Sequence, residues 1–389
     1  MERLITMLLL FYLVSCSVSK KTTKPEFSTV KTTSQDLDPK ISIDTIIEKP
    51  KTLTPYEKAY QKIEQMLKLK KYDFKEAVFI VENTFLDNTI DREQFDKQIL
   101  FLSELSKQLI DSRELVYNFD DKEKVKKYAS LFSVISDTIS IQIDSNRIAK
   151  IPPYSYDFSD IWGHNKWSNM FVTKLLDTKQ GNCHSMPYLY KILANEIGAD
   201  AYIAVAPNHF YIKHKNKAGG WYNTELTSGI FPVDAWLMAS GYIHLDAIVN
   251  KLYMEALDDK QTIALCMVDL AKGYQKKFGV LADNDFILKC TNTALEYYPN
   301  YINALLLKVE TKKRQFENIM IENNAKNPVD IFNIPKAKIL FTEMTHLYSK
   351  IHTLGYRKMP EKMYLKWLIS LKEERSKYEN KKITNFNAK

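Results

Sequence analysis

The chain has 389 residues, of which 45% are hydrophobic and 26% charged, ordinary globular material for two or three domains. Lys and Arg exceed Asp and Glu by 55 to 47, a net charge of +8, and the excess is spread along the chain. That spread describes a solvated surface rather than a basic groove, so no nucleic acid is expected as a partner.

Glycine divides the sequence further. Seven of the ten (Gly163, Gly181, Gly198, Gly219, Gly220, Gly229, Gly241) and four of the five tryptophans (Trp162, Trp167, Trp221, Trp236) fall within 151–243. Glycine marks tight turns and positive φ, so this stretch is expected to hold the strands. The flanks at 55–150 and 244–389, poor in Gly and rich in Leu, Lys and Glu, are expected to be helical. The predicted fold class is therefore α+β, mostly helical.

The apolar run Leu4 to Val14 is too short to span a bilayer, which needs about 20 residues, and reads as the core of a secretory signal. It ends in Leu13-Val14-Ser15-Cys16, which resembles the bacterial lipobox. The resemblance implies cleavage before Cys16, its lipidation, and a membrane partner reached through the acyl chains. Ser17, in place of an Asp, points to the outer membrane. Residues 17–54, rich in Ser, Thr, Lys and Pro, are expected to be a disordered tether reaching roughly 35 Å.

From Tyr56 the apolar spacing is helical: Tyr60, Ile63, Met66 and Leu67 mark one helix, and Ala77, Phe79, Ile80 and Phe85 a second. Phe95, Ile99, Leu102, Leu105 and Leu109 mark a third, entered through Asp91 as N-cap. A fourth is predicted over about 122–148. Nothing here gathers catalytic residue types, and the block reads as scaffold.

The chemistry concentrates in the next stretch. Gly181-Asn182 precede Cys183, and apolar positions then recur at helical spacing to Gly198, a natural C′ stop. Cys183 is thus placed at the first turn of a helix, where unpaired N–H groups and the positive dipole end favour a thiolate. Ala201 to Ala206 reads as a buried strand, Pro207-Asn208 break it, and His209 to His214 begin another. A turn over Lys215 to Gly220 returns the chain along Trp221 to Leu226. His209 and Glu225 are equidistant from Lys217, so a hairpin centred there faces the two side chains across one sheet face. A one-residue slip would separate them.

A Cys at a helix start, a His opening a strand, and a Trp-x-x-x-acid strand after it resemble the transglutaminase-like core of the wider papain-like fold, over Thr173 to Gly229. The resemblance implies Cys183 as nucleophile, His209 as base and Glu225 as the acid orienting the imidazole, although the family more often has Asp there. It also implies an oxyanion donor besides the Cys183 N–H, for which Gln180 (after papain relatives) and Trp167 (after the upstream aromatic of transglutaminases) are candidates. The spacing of Cys183, His184, His209 and His214 fits no common zinc pattern, and no metal or cofactor is expected.

Beyond Phe231 the helical period returns over Leu245–Leu257, Thr262–Phe278 and Asp285–Tyr297. The run Ala294 to Leu305, with Pro299 starting the following helix, resembles the junction between tetratricopeptide repeats. A region of that kind, placed at 244–389, implies a surface for a protein partner. The tail after Leu371 is charged and expected to fray. Cys266 and Cys290, on successive helices, either pair in an oxidising compartment or pack singly. The expectation for the whole is an envelope-anchored cysteine-dependent amidohydrolase or acyl transferase acting on protein or peptide. The alternative is a catalytically silent scaffold that binds an envelope partner.

Overall fold

The computed structural model describes residues 53–384, residue 326 excepted. The export signal, Cys16 and all but the last two residues of the expected tether lie outside them. The described chain is mostly helical, with a few small sheets. Helix α1 (Pro55–Lys68) opens on a capping box in which Thr54 and Glu57 satisfy each other's backbone N–H groups. Helices α2 (Phe74–Phe85) and α3 (Arg92–Ser112) start at Asp73 and Asp91, whose carboxylates accept the N–H groups of Glu76 and Gln94.

Helix α4 (Lys122–Ser136) stops well short of Ile148. The chain turns instead into a hairpin of β1 (Ile139–Asp144) and β2 (Arg147–Ile151). Ile139, Ile141 and Ile143 alternate with polar residues, a two-residue period that suits a strand. Asp144 closes the turn, accepting from the Asn146 N–H at 3.0 Å and from Arg147 Nε at 2.6 Å.

The centre of the fold is α6 (Ser185–Glu196), buried on every side from Ser185 to Ala194; a helix apolar all round must lie inside. Helices α3, α4 and α5 (Val172–Thr178) pack against it, as does an antiparallel sheet of β5 (Tyr202–Ala206), β6 (His209–Asn216) and β7 (Gly220–Thr224). Helix α5 has no side-chain cap of its own. Glu82 of α2 supplies one, its two carboxylate oxygens accepting from the N–H groups of Val172 at 2.6 Å and Thr173 at 2.9 Å. Burial outweighs those bonds and pushes the Glu82 carboxyl up to about 7.

After β7 come two short helices, α7 (Asp234–Ser240) and α8 (Leu245–Val249). The helix expected to reach Leu257 ends at Val249 because the chain finds other partners. The N–H groups of Met254 and Leu257 donate to the carbonyls of Val205 and Ile203 at 2.9 Å each, covering the free edge of β5. Helices α9 (Asp259–Phe278), α10 (Asn284–Tyr297), α11 (Ile302–Glu322) and α12 (Pro335–Thr353) follow. Each packs on the next, and α9 also packs on α1 and α2. Pro299 lies a turn ahead of α11, which Tyr301 caps, rather than starting it. Cys266 and Cys290 are free and buried, packed singly in α9 and α10. The last helix, α13 (Glu361–Thr384), continues through Leu371, where fraying was expected. Among the described residues no helix is long and apolar enough to cross a membrane.

Candidate active site

The loop carrying Cys183 is shaped by its neighbours. Strand β4 (Gln180–Gly181) pairs in parallel with β3 (Ser155–Tyr156), with Tyr156 opposite Gly181. A Cβ at Gly181 would fall 2.5 Å from Ser185 Oγ and 2.7 Å from Leu175 Cδ1, so any larger residue would have to displace both side chains. Asn182 braces the turn into the helix: its Oδ1 accepts from the His184 and Ser185 N–H groups at 2.9 and 3.1 Å, and its carbonyl accepts from Met186 N–H at 3.1 Å. Cys183 therefore lies in the turn that leads into α6, two residues ahead of Ser185.

His209 comes from the start of β6, after a two-residue turn in which Asn208 holds φ of +58°. The hairpin of β6 and β7 is centred on Ala218, not Lys217: Asn216 pairs with Gly220 and Ile212 with Thr224. Moving the centre by one residue moves each cross-strand partner by two, which preserves the face. Glu225 lies just past the paired region, held by a two-way backbone bridge to Ile230. The expected meeting takes place: Glu225 Oε2 lies 2.5 Å from His209 Nε2. Glu225 Oε1 accepts from the Thr227 N–H at 2.6 Å, fixing the carboxylate.

The other ring nitrogen, Nδ1, faces Cys183. Burial disfavours charge on both groups, but the mutual attraction and the Glu225 carboxylate outweigh it. The imidazole is raised to about 10, and the thiol is held below its ordinary value. The trio thus favours a thiolate–imidazolium pair. Cys183 is 9% exposed, His209 3% and Glu225 1%.

Two further hydroxyls reach the site, and neither was anticipated. Tyr364 of α13 places its Oη 3.3 Å from Cys183 Sγ and 3.2 Å from His209 Nδ1. Tyr156 of β3 turns a buried hydroxyl toward the same thiol and the Tyr364 hydroxyl, outside the geometry of a regular hydrogen bond. Burial, then the neighbouring thiolate, pushes the Tyr156 phenol well above its usual value, so it stays protonated and able to donate.

Neither oxyanion candidate has a hydrogen bond to the trio. The Gln180 side chain is exposed. The Trp167 indole lies against Gly273 of α9, in a small cavity shared with His184 and Asp269. His184 itself faces away from the thiol, with Nδ1 2.9 Å from the Met170 carbonyl and Nε2 3.2 Å from Asp269 Oδ1. His214 lies on the opposite face of β6, its ring 4.0 Å from that of Tyr128, with Nε2 2.9 Å from the Tyr190 hydroxyl. Burial lowers it to about 4. The four residues weighed for zinc therefore do not converge. Comparison of the chain with protein-family models, with curated proteins and with solved structures returns no match.

Proposed function

We propose that this chain is a cysteine-dependent amidohydrolase or acyl transferase of transglutaminase-like type, acting on protein or peptide at the cell envelope. The observation that carries this reading is the buried His209–Glu225 pair, with the second imidazole nitrogen turned to a thiol at a helix N-terminus. Export and anchoring through Cys16 rest on the N-terminal sequence. Loss of labelled fatty acid from a Cys16→Ala variant tests them.

In this reading the Cys183 thiolate attacks an amide carbonyl carbon. The C–S bond forms and the C=O π pair moves to oxygen. The oxyanion is stabilised by the Cys183 N–H and by Tyr156, the buried hydroxyl that faces the thiol. Its collapse breaks the C–N bond, and the imidazolium of His209 protonates the departing amine at Nδ1. Water, deprotonated by the now neutral imidazole, attacks the thioester, releasing a carboxylic acid and restoring the thiolate. An amine in place of water gives a new amide. Glu225 holds the ring and its charge throughout.

The silent-scaffold alternative draws support from the near-complete burial of the trio. The discriminating measurement is trapping of the purified protein with a cysteine-directed electrophile. Adduct at Cys183 that persists at pH 6 and disappears in His209→Ala supports the enzyme. Labelling that follows an ordinary thiol titration, unaffected by His209→Ala, refutes it.

A further inference from the structure

Helix α13 closes the site with a stripe of side chains at positions i, i+3, i+4 and i+7: Tyr364, Trp367, Leu368 and Leu371, all buried. Its other face is open, with Met363, Leu365 and Ile369 40–53% exposed. Trp367 stands edge-on to the His209 ring at 4.8 Å and bonds through Nε1 to Ser240 Oγ at 3.0 Å. The Tyr364 ring lies 4.9 Å from that of Trp162. Its hydroxyl touches both the nucleophilic sulfur and the imidazole nitrogen, the two groups between which a reacting carbonyl and its leaving nitrogen must sit. No acyl group can enter while it is there.

The helix joins the rest of the fold through a short irregular link. At the end of α12, Gly355 has φ of +88°, and a Cβ there would fall 2.5 Å from the Ala247 backbone nitrogen. That close approach pins the end of α12 to α8. Residues Tyr356 to Pro360 follow without secondary structure, and α13 begins beyond them. A fixed point followed by a short irregular link is the arrangement of a hinge.

We propose that α13 is an internal occupant of the substrate cleft, in which Tyr364 holds the place of the reacting amide, and that the polypeptide displacing it presents bulky aromatic side chains to the same cradle. This deepens the proposed function and rests on it. The chain at rest is closed, and the rate of any reaction at Cys183 scales with the fraction of molecules in which α13 is withdrawn.

The test is the rate of iodoacetamide alkylation of Cys183 in the full chain. Removing two buried aromatic anchors in a Tyr364→Ala/Trp367→Ala variant is expected to raise it about a hundredfold at pH 7. Tyr364→Phe keeps the packing and the fold but loses the bonds to sulfur and nitrogen, and is expected to raise it a few-fold. A synthetic peptide of residues 361–373 should slow alkylation of the double variant, while the same peptide carrying both alanines should not. Equal rates in wild type, Tyr364→Phe and the double variant would overturn the proposal. So would equal effects of the two peptides. Faster alkylation with an ordinary thiol pH profile would instead retain the occluding helix and remove the enzymatic reading, so the two failures are distinct.

Discussion

Replacing Glu225 by Gln tests the site at its most buried point. The carboxylate makes two short contacts, 2.5 Å to His209 Nε2 and 2.6 Å from the Thr227 N–H. Glutamine has one oxygen and one NH2. If the oxygen keeps the Thr227 bond, the amide nitrogen faces Nε2, which must then accept and cannot carry a proton. The imidazolium is lost and the ring is driven to the Nδ1–H tautomer. Glu225 is the largest influence raising His209, whose value of about 10 then falls back toward 6.5. With the cation goes the main stabilisation of the Cys183 thiolate. In serine triads an equivalent change costs roughly 10⁴ in rate. A cysteine site, whose ion pair exists before substrate arrives, should lose about one to two powers of ten in kcat and a similar factor in alkylation at pH 6. The alkylation ratio of variant to wild type cancels any gating by α13 that both share. Glu225→Asp, which keeps the charge on a shorter arm, should fall between them. If Glu225→Gln leaves turnover and the acid limb of the alkylation profile unchanged while His209→Ala abolishes both, the imidazole is oriented by some other group.

Two other outcomes are expected. Tyr156→Phe should lower kcat about 10²-fold, in the range for loss of one oxyanion donor, with Cys183 alkylation and KM little changed. Its stability should change little, because the lost hydroxyl makes no well-formed hydrogen bond in the fold. Equal losses in alkylation and turnover would assign Tyr156 to packing instead. His214, held neutral at about 4, contributes stability that is fully present above 6.5 and is lost as pH falls toward 4. Glu82, raised to about 7, gains stability over the same range, so the His214 contribution of about 3 kcal/mol is read as the difference between wild type and His214→Phe in urea melts at pH 7 and 4. His209, shifted the other way, contributes below 6.5 and loses that contribution as pH rises toward 10. His214→Phe should change the acid limb alone.

The trio was legible in the sequence because each member announces itself locally. Gly181-Asn182 ahead of a helical period place Cys183, Pro207-Asn208 place His209 at a strand start, and hairpin parity places Glu225. The assumed centre at Lys217 was off by one, and the pairing survived because strand faces repeat every two residues. Where backbone groups find partners far away, local reading failed. The segment after Val249 gives its N–H groups to the edge of β5, which no helical period in Leu245–Leu257 could reveal. The alternation of Ile139, Ile141 and Ile143 was present but was absorbed into the preceding helix. Tyr156 reaches the thiol only through a two-residue parallel ladder. Tyr364 meets it across a separation of 181 residues. The one sequence signal for the latter was the stripe Tyr364, Trp367, Leu368 and Leu371, which ends where the tail read as charged begins.

Strand β6 carries two histidines in opposite states, His209 charged on one face and His214 neutral among the rings of Tyr128 and Tyr190 on the other. Lys213 shares the His209 face, its ammonium bonded to the Met254 carbonyl at 3.2 Å. Sliding β6 by one residue would turn every side chain over. Such a slip would push the Lys213 cation into an aromatic layer and leave the Glu225 carboxylate buried without its imidazole. An unpaired buried charge costs several kcal/mol, far more than a misplaced apolar contact. The pattern of charge along this strand therefore proofreads its alignment: a register one residue out lies several kcal/mol above the native pairing.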